Sequence, residues 1–315
     1  MFFSTALSPH AGRKRRRMRG LLTFIFMKPR LIILSLIILS ACASPADKKN
    51  VVVKNGELNI AYRSAGNSDT AIVFVHGWCI NKEYWTAQED YFSKRFNTVT
   101  LDLGGHGQSG KNRNNWTIDE YGNDVAAVIN TLDLKKVILV GHSMGGDIIL
   151  NVANKVPEKI IGFIGVDNFK SITTNFSPEE QKQVDTFFIM MKSGYKAIAE
   201  QYTRSSLFPA NYADTVSVKR VINDIKNSDS SIAIQTLESL MQVFLKEGEL
   251  LSQLKVPVHL ISSDLEPMNE ESVKKYCKAG LFVHSIKGVG HYPMIEKPEE
   301  FNKLMDEAIG QIAKK

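Results

Sequence analysis

The chain has 315 residues, of which 43% are hydrophobic and 23% are charged. α/β proteins of this length often fold as one unit, and the sequence has no low-complexity tract, so we expect a large packed core. The net charge of +6 comes from the N-terminus, because residues 1–41 carry eight basic side chains and no acidic one, which leaves 31 basic against 33 acidic side chains in the rest. The composition therefore excludes the basic signature of a nucleic-acid-binding protein.

Residues 1–41 have the pattern of a signal peptide. Basic residues precede the apolar run 31–39, which is followed by small residues. The run is too short to span a bilayer as a helix, for which about 20 residues are needed. An N-terminal anchor that is never cleaved is the alternative, and Met27 is an alternative start of the chain.

The sequence Leu39-Ser40-Ala41-Cys42 resembles the lipobox of bacterial lipoproteins. This resemblance implies cleavage before Cys42, lipidation of Cys42 and attachment to a membrane of the cell envelope, with residues 42–50 as a tether. The absence of Asp at position 43 resembles lipoproteins that are sorted to the outer membrane. In a host with such a membrane, the protein is then expected to face the periplasm.

From residue 51 onwards, short apolar β-branched runs alternate with helical patterns, which predicts a mostly parallel sheet covered by helices. The predicted strands are Val51–Val53, Leu58–Arg63, Ala71–Val75, Thr98–Leu103, Val137–Val140, Ile160–Val166, Val256–Ile261 and Phe282–Ile286. Capping patterns predict helices that follow Thr117 and Ser177 and begin at Pro298. Cys79 and Cys277 are predicted to be buried free thiols, since two cysteines at unknown separation are weak evidence of a disulfide.

The alternation stops between about residues 169 and 254. Apolar residues recur there at helical spacing without a strand-like run, and the segment is too long for a connecting loop. We therefore predict a helical cap inserted into one domain, 51–315. Core packing of the cap helices is the expected role of most of its Met and Phe residues, and a few of them are candidates for lining a substrate pocket.

The segment Gly141-His142-Ser143-Met144-Gly145 follows a predicted strand and precedes a predicted helix. This is the context in which G-x-S-x-G forms a nucleophile elbow, a sharp turn that exposes the Ser hydroxyl at the N-terminus of a helix. Ser143 is therefore the candidate nucleophile. A glycine-rich turn with an idle serine is the alternative.

Further motifs resemble those of the α/β-hydrolase superfamily over about residues 55–313. Val73–Trp78 resembles its oxyanion-loop strand, Asp102–Ser109 its D-x-x-G-H-G-x-S loop, and Gly288–His291 its C-terminal histidine loop. The resemblance implies a mostly parallel central sheet flanked by helices, with an inserted helical cap. It also implies an oxyanion hole formed by the backbone N–H groups of Trp78 and Met144, with the loop around His106 as structural bracing.

A serine hydroxyl needs a base to become a good nucleophile. Of the seven histidines, His291 alone lies in a loop after the last predicted strand, where the chain order Ser, acid, His of this fold requires the base. The predicted orienting acid is Asp264, after the seventh strand, although Ser263 stands where the family often has Gly. Asp167, after the sixth strand, is the competitor, and Glu266 is a more distant third.

These residues predict a serine hydrolase that cleaves carboxylic esters of small molecules through an acyl-enzyme. Thioester or amide cleavage is an alternative, and a ligand-binding or signalling protein on the same fold is an alternative of another class. Dehalogenase and epoxide hydrolase activities are disfavoured because those relatives have Asp where Ser143 stands. No metal or organic cofactor is expected, since the sequence has no H-E-x-x-H, no C-x-x-C and no phosphate-cradling glycine loop.

Overall fold

The computed structural model describes residues 51–210 and 212–314. The predicted signal peptide, the tether and Cys42 lie outside the described residues. Within the described ranges, none of the helices is both long and apolar enough to cross a membrane.

One eight-stranded sheet forms the centre of the fold. The order of its strands is β1-β2-β4-β3-β5-β6-β7-β8, with β1 antiparallel to β2, β2 antiparallel to β4 and the remaining neighbours parallel. The strands are β1 Val51–Asn55, β2 Leu58–Ala65, β3 Thr70–Val75, β4 Asn97–Leu101, β5 Lys136–His142, β6 Ile160–Val166, β7 Val258–Ser263 and β8 Leu281–Ile286. All eight predicted strands are confirmed, with their ends displaced by about two residues at most.

Helices flank this sheet and follow its strands. They are α1 Thr86–Phe92, α2 Ile118–Thr131, α3 Met144–Lys155, α4 Pro178–Ser206, α5 Thr215–Asn227, α6 Ser230–Phe244, α7 Glu247–Gln253, α8 Glu270–Lys274, α9 Pro293–Glu296 and α10 Pro298–Ile312. The predicted caps are confirmed, because Thr117 accepts a backbone hydrogen bond from Glu120 at the start of α2 and Ser177 forms a capping box with Glu180 at the start of α4.

The central strands are buried on both faces, which explains why they are almost continuously apolar. Residues 71–75 of β3 and 137–142 of β5 are all buried. On one side of β3, Phe74 packs against Trp85, which packs against Phe301 of α10. This core fixes the carboxyl edge of the parallel strands, from which the candidate site residues extend.

Four helices, α4 to α7, lie between β6 and β7 and confirm the inserted helical cap. Specific hydrogen bonds join α6 to the sheet domain: the Trp78 indole N–H donates to the Ala233 carbonyl at 2.9 Å, and the backbone N–H of Ile118 donates to the Ser239 hydroxyl at 3.0 Å. The cap is therefore held over the carboxyl edge by polar contacts as well as by packing.

The loop after β4 is a structural brace. Asp102, which is fully buried, accepts hydrogen bonds from the Lys82 ammonium at 2.6 Å, the Lys82 backbone N–H at 2.8 Å and the Gln108 backbone N–H at 2.9 Å. His106 is buried, donates from Nδ1 to the Gly104 carbonyl, and has its pKa lowered to about 3 by burial. The side chains that resemble the family loop therefore hold backbone in place.

Both described cysteines, Cys79 and Cys277, are buried free thiols, as predicted. Burial raises the pKa of Cys79 to about 12 and that of Cys277 to about 11. A thiol that is protonated at neutral pH is a poor nucleophile.

Candidate active site

Ser143 lies at the sharp turn between β5 and α3. Its backbone is left-handed, with φ of 52° and ψ of −125°, a conformation that non-glycine residues rarely adopt and that persists only where the surroundings enforce it. The Ser143 backbone N–H donates to the Val166 carbonyl at 2.9 Å, and the Gly146 N–H donates to the Ser143 carbonyl at 2.7 Å. The strand–turn–helix context predicted for this serine is therefore present.

Two glycines make this turn possible because other backbone approaches them closely. A Cβ atom on Gly141 would lie 2.2 Å from the Gly145 carbonyl oxygen, and one on Gly145 would lie 2.5 Å from the Val75 carbonyl oxygen. Real Cβ atoms do not approach backbone so closely. Glycine at both positions is required for α3 to start against the end of β3.

The two predicted oxyanion donors, Trp78 and Met144, line the same cavity as Ser143. Met144 is the first residue of α3, and the first N–H groups of a helix have no acceptor within it. Trp78 follows the end of β3, and its side chain is held by the bond to Ala233. The N-terminus of α3 also carries a positive partial charge that favours an anion at this position.

His291 is held over the elbow by its backbone and its side chain. Its backbone N–H donates to the Leu207 carbonyl at 2.9 Å, and its carbonyl accepts from His142 Nε2 at 2.7 Å. Its Nδ1 atom donates to Asp167 Oδ2 at 2.6 Å. The Nδ1–H bond leaves Nε2 as the basic nitrogen of the imidazole.

The predicted pairing of His291 with Asp264 is therefore wrong, and the competitor Asp167 is the observed partner. Asp264 is exposed, and its carboxylate accepts a hydrogen bond from the Gly288 backbone N–H at 2.9 Å. Asp167 follows β6 with a left-handed φ of 49°, and its Oδ1 accepts from the Ser263 N–H at 2.8 Å. The turn at Asp167 folds its side chain towards His291, whereas Asp264 braces the loop that carries the histidine.

The Asp167 carboxylate is ionised although it is almost completely buried. Burial by itself raises its pKa, but the hydrogen bond and charge of His291 and the charge and hydrogen bond of Lys170 outweigh burial and hold that pKa well below the usual range. Lys170, which the sequence analysis missed, places its ammonium 2.7 Å from Asp167 Oδ1. Its position three residues after an aspartate at a strand end was the available signal.

His142 is a second residue that the sequence analysis did not assign. It is 1% exposed, its ring centroid lies 4.9 Å from that of His291, and burial together with the charge of His291 lowers its pKa to about 3. A neutral His142 donates from Nε2 to the His291 carbonyl. It therefore positions the loop of His291 without adding a charge beside it.

A cavity of about 540 Å³ opens between the sheet edge and the cap and contains Ser143, Asp167 and His291 in its wall. Many of its other lining side chains are apolar, and most of these come from α4, α6 and the loops after β6 and β7. They include Phe169, Tyr202, Leu207, Leu237, Leu240, Met241, Phe244 and Leu265. A volume of this size suits a small organic molecule. In the described part of the chain, no cluster of His, Cys, Asp and Glu is arranged to hold a metal ion.

Two buried carboxyl groups also line this cavity. Asp147, in the first turn of α3, and Glu247, the first residue of α7, are 1% and 4% exposed and interact with each other. Burial raises the pKa of both groups, and their proximity raises that of Glu247 further. Because two carboxylates at hydrogen-bonding distance repel each other strongly, the pair retains a shared proton at neutral pH.

The fold and the elbow define the class of protein. A family model described as "alpha/beta hydrolase fold" matches residues 70–298. The chain belongs to the alpha/beta hydrolase fold family. The expectation of a hydrolase with this fold is thereby confirmed.

Known proteins similar to this chain include an uncharacterized protein of Mycobacterium tuberculosis, 24% identical over 265 residues that cover 78% of this chain and 76% of that protein. A karrikin insensitive 2 receptor of Petunia hybrida is 23% identical over 74% of this chain and 89% of its own length. Among solved structures, a thermophilic esterase from Thermogutta terrifontis aligns with a TM-score of 0.72 and 21% identity, over 84% of this chain and 99% of that one. The structural likeness at this identity shows the shared fold.

The carboxyl pair predicts how stability depends on pH. The pKa of each group is raised in the folded state, so their contribution to stability is fully present below the pKa of the unfolded chain and is lost as pH rises through the folded pKa. Between pH 5 and pH 9, the unfolding free energy of the wild type should fall. We expect that of the double variant Asp147→Asn/Glu247→Gln to fall by about 2 kcal/mol less. Urea denaturation at several pH values measures this difference.

The matched control for this prediction is Glu158→Gln, which removes an exposed carboxylate at a distance from the pair. It should leave the pH dependence of the wild type unchanged. Curves of unfolding free energy against pH that run parallel for the wild type and the double variant would contradict the shared proton.

Proposed function

We propose that the protein is a serine hydrolase that cleaves carboxylic esters of small molecules. Ser143 attacks the ester carbonyl, His291 accepts the hydroxyl proton through Nε2, and Asp167 orients the imidazole and stabilises the imidazolium. The observation that carries the proposal is the bond from His291 Nδ1 to the buried Asp167 carboxylate, in a cavity that also contains the strained Ser143.

The backbone N–H groups of Trp78 and Met144 donate hydrogen bonds to the carbonyl oxygen and stabilise the negative charge that develops on it. Such donors are already oriented before the reaction and therefore stabilise the transition state more than water would. His291 then protonates the leaving alcohol, which leaves an acyl group on Ser143. A water molecule, deprotonated by the same imidazole, hydrolyses this acyl-enzyme.

The apolar side chains that line the cavity support an ester of a small apolar acid or alcohol, held between the cap and the sheet edge. The similarity to the thermophilic esterase from Thermogutta terrifontis is compatible with this substrate class. Thioester and amide cleavage use the same groups. The ester is proposed over the amide because its alcohol leaves more readily than an amine, and thioester cleavage stays an alternative.

The similarity to a karrikin insensitive 2 receptor supports a second candidate function, the binding of a small ligand with incidental turnover. Steady-state measurements separate the two candidates. Many turnovers per active site support the esterase, whereas one equivalent of released product per chain supports the receptor.

The location proposed for the protein is the cell envelope, where lipid on Cys42 attaches the protein to a membrane. In a host with an outer membrane, this is the outer membrane. Support comes from the Leu39-Ser40-Ala41-Cys42 sequence and the basic and apolar segments before it. A single acyl chain binds a bilayer only marginally, and two or more anchor a protein stably.

The assignment of the nucleophile predicts the behaviour of Ser143→Ala. Turnover of p-nitrophenyl esters should fall by at least about 10³-fold, because the variant retains only binding and the oxyanion donors. In the wild type, a fluorophosphonate should modify the tryptic peptide 137–155, in which Ser143 is the only serine or threonine. Kinetics and peptide mass spectrometry test both statements.

Ser193→Ala, an exposed change on α4, is the control and should react and turn over as the wild type does. Turnover near the wild-type rate in Ser143→Ala, or a label on another peptide, would refute the nucleophile.

Substitution of the aspartates after β6 and β7 should lower kcat to different extents. Asp167→Asn should lower kcat by about 10²- to 10⁴-fold, because an amide at this position favours the wrong tautomer of His291. Asp264→Asn should lower kcat by less than about tenfold, since it only weakens a bond to a loop backbone. Each variant is the matched control of the other, and a reversed order of the two losses would assign the acid to Asp264.

The proposed anchor predicts the fate of Cys42. Cys42→Ser should abolish lipidation and leave the uncleaved leader on the chain, whereas Cys277→Ser, a buried thiol, should be processed normally. A chain that starts at residue 43 should be soluble and active. Membrane fractionation and mass spectrometry of the mature N-terminus measure these outcomes, and an unmodified wild-type chain that retains residues 31–41 would exclude the lipoprotein.

A further inference from the structure

Lys170 bonds to Oδ1 of Asp167, the carboxylate oxygen that does not bond to His291. Its ammonium donates to Asp167 Oδ1 at 2.7 Å, to the Ser262 hydroxyl at 2.8 Å and to the Ser263 carbonyl at 2.9 Å. A lysine ammonium has three N–H donors, so these acceptors use all of them. The charge is therefore fixed in direction and has no donor left for another group.

The turn that brings Lys170 back to Asp167 is strained. Asp167 has a φ of 49° and Phe169 a φ of 50°, two left-handed non-glycine residues within four positions of the chain. Such backbone conformations are costly unless the surroundings compensate. The contacts that hold this turn include the ion pair of Lys170 with Asp167 and the backbone N–H of Asn269, which donates to the Lys170 carbonyl at 2.7 Å.

The donors are distributed unequally over the two oxygens of Asp167. Oδ1 accepts from the Lys170 ammonium and from the Ser263 N–H, whereas Oδ2 accepts from His291 Nδ1. A carboxylate anchored at one oxygen by two donors has its plane fixed, and its second oxygen then points in one direction. A buried carboxylate is also costly to desolvate unless it is paired with a charge.

We propose that Lys170 is a positioning residue for ester hydrolysis, which anchors Asp167 Oδ1 so that Oδ2 orients His291. This inference rests on the proposed function of Ser143, His291 and Asp167. Lys170 also lines the cavity, but its three N–H donors are already used within the protein, so it acts through the carboxylate and not through a hydrogen bond to the substrate. It also balances the negative charge of Asp167, so that the imidazole faces an ion pair and not an isolated anion.

The charge balance has a consequence for the pH dependence of the reaction. Without the ammonium, the uncompensated carboxylate favours the imidazolium form of His291, which cannot accept the serine proton. The acid limb of the pH–rate profile should then move to higher pH, by about one unit.

The other titratable or charged groups near His291 do not replace the ammonium. They are His142 at the end of β5, the adjacent Tyr292, and Tyr202 and Glu266 in the wall of the cavity. Three further carboxyl groups are Asp147 and Glu247 in the cavity wall and Glu296, which accepts from the backbone N–H groups of Gly290 and Tyr292; burial raises the pKa of each. Burial keeps His142 neutral by lowering its pKa to about 3, and it keeps both tyrosines neutral by raising theirs. Glu266 is exposed to solvent, which screens its charge.

The test uses Lys170→Gln and Lys170→Arg in the full chain, with p-nitrophenyl ester hydrolysis followed from pH 5 to pH 9. Lys170→Gln should lower kcat by about 10- to 100-fold with little change in KM, and should move the acid limb to higher pH. Lys170→Arg retains the charge and should restore the position of the acid limb even where its rate is reduced. The control Lys226→Gln removes a lysine that pairs with Glu200 in the cap and should leave the limb in place.

A double-variant cycle separates positioning from substrate contact. In an Asp167→Asn background, Lys170→Gln should have almost no further effect on kcat, because the group through which it acts is gone. An equal loss in both backgrounds, a change confined to KM, or an unmoved acid limb in Lys170→Gln would overturn the proposal. Each of these results is compatible with the proposed esterase activity. The absence of fluorophosphonate labelling at Ser143 in the wild type would instead contradict the proposed function.

Discussion

The buried carboxylate of Asp167 is the group on which the arrangement of the site depends. It lies at the carboxyl end of β6, where its backbone N–H bonds to the Ile261 carbonyl of β7, and its side chain joins His291 on one side and Lys170 on the other. Burial of an ion is tolerated only with such partners. The contacts that compensate the charge of Asp167 therefore join the loop after β6 to the loop of His291, and the Ser263 N–H bond joins it to the end of β7.

The fold and part of the site follow from local sequence patterns. Parallel strands buried on both faces are apolar along their whole length, so all eight strands were predictable within about two residues. The elbow at Ser143 was predictable because its glycines are required by close backbone approach, and His291 because it lies in the one loop after the last strand. These signals lie within a few residues of the groups that they identify.

The acid was not predictable in this way. Asp167 and Asp264 both follow parallel strands that are neighbours in the sheet, so both reach the same edge. The difference lies in the left-handed backbone of Asp167 and in the contact between its side chain and Lys170, which depend on tertiary structure. The shared proton of Asp147 and Glu247 was hidden for the same reason, because burial and proximity create it.

A crystal structure of the protein after reaction with diisopropyl fluorophosphate tests the proposed chemistry most directly. We expect phosphorus bonded to Ser143 Oγ, a phosphoryl oxygen about 3 Å from the backbone nitrogens of Trp78 and Met144, and His291 Nδ1 still bonded to Asp167. Phosphorus on any other residue, or His291 turned to Asp264, would contradict the assignment of these groups.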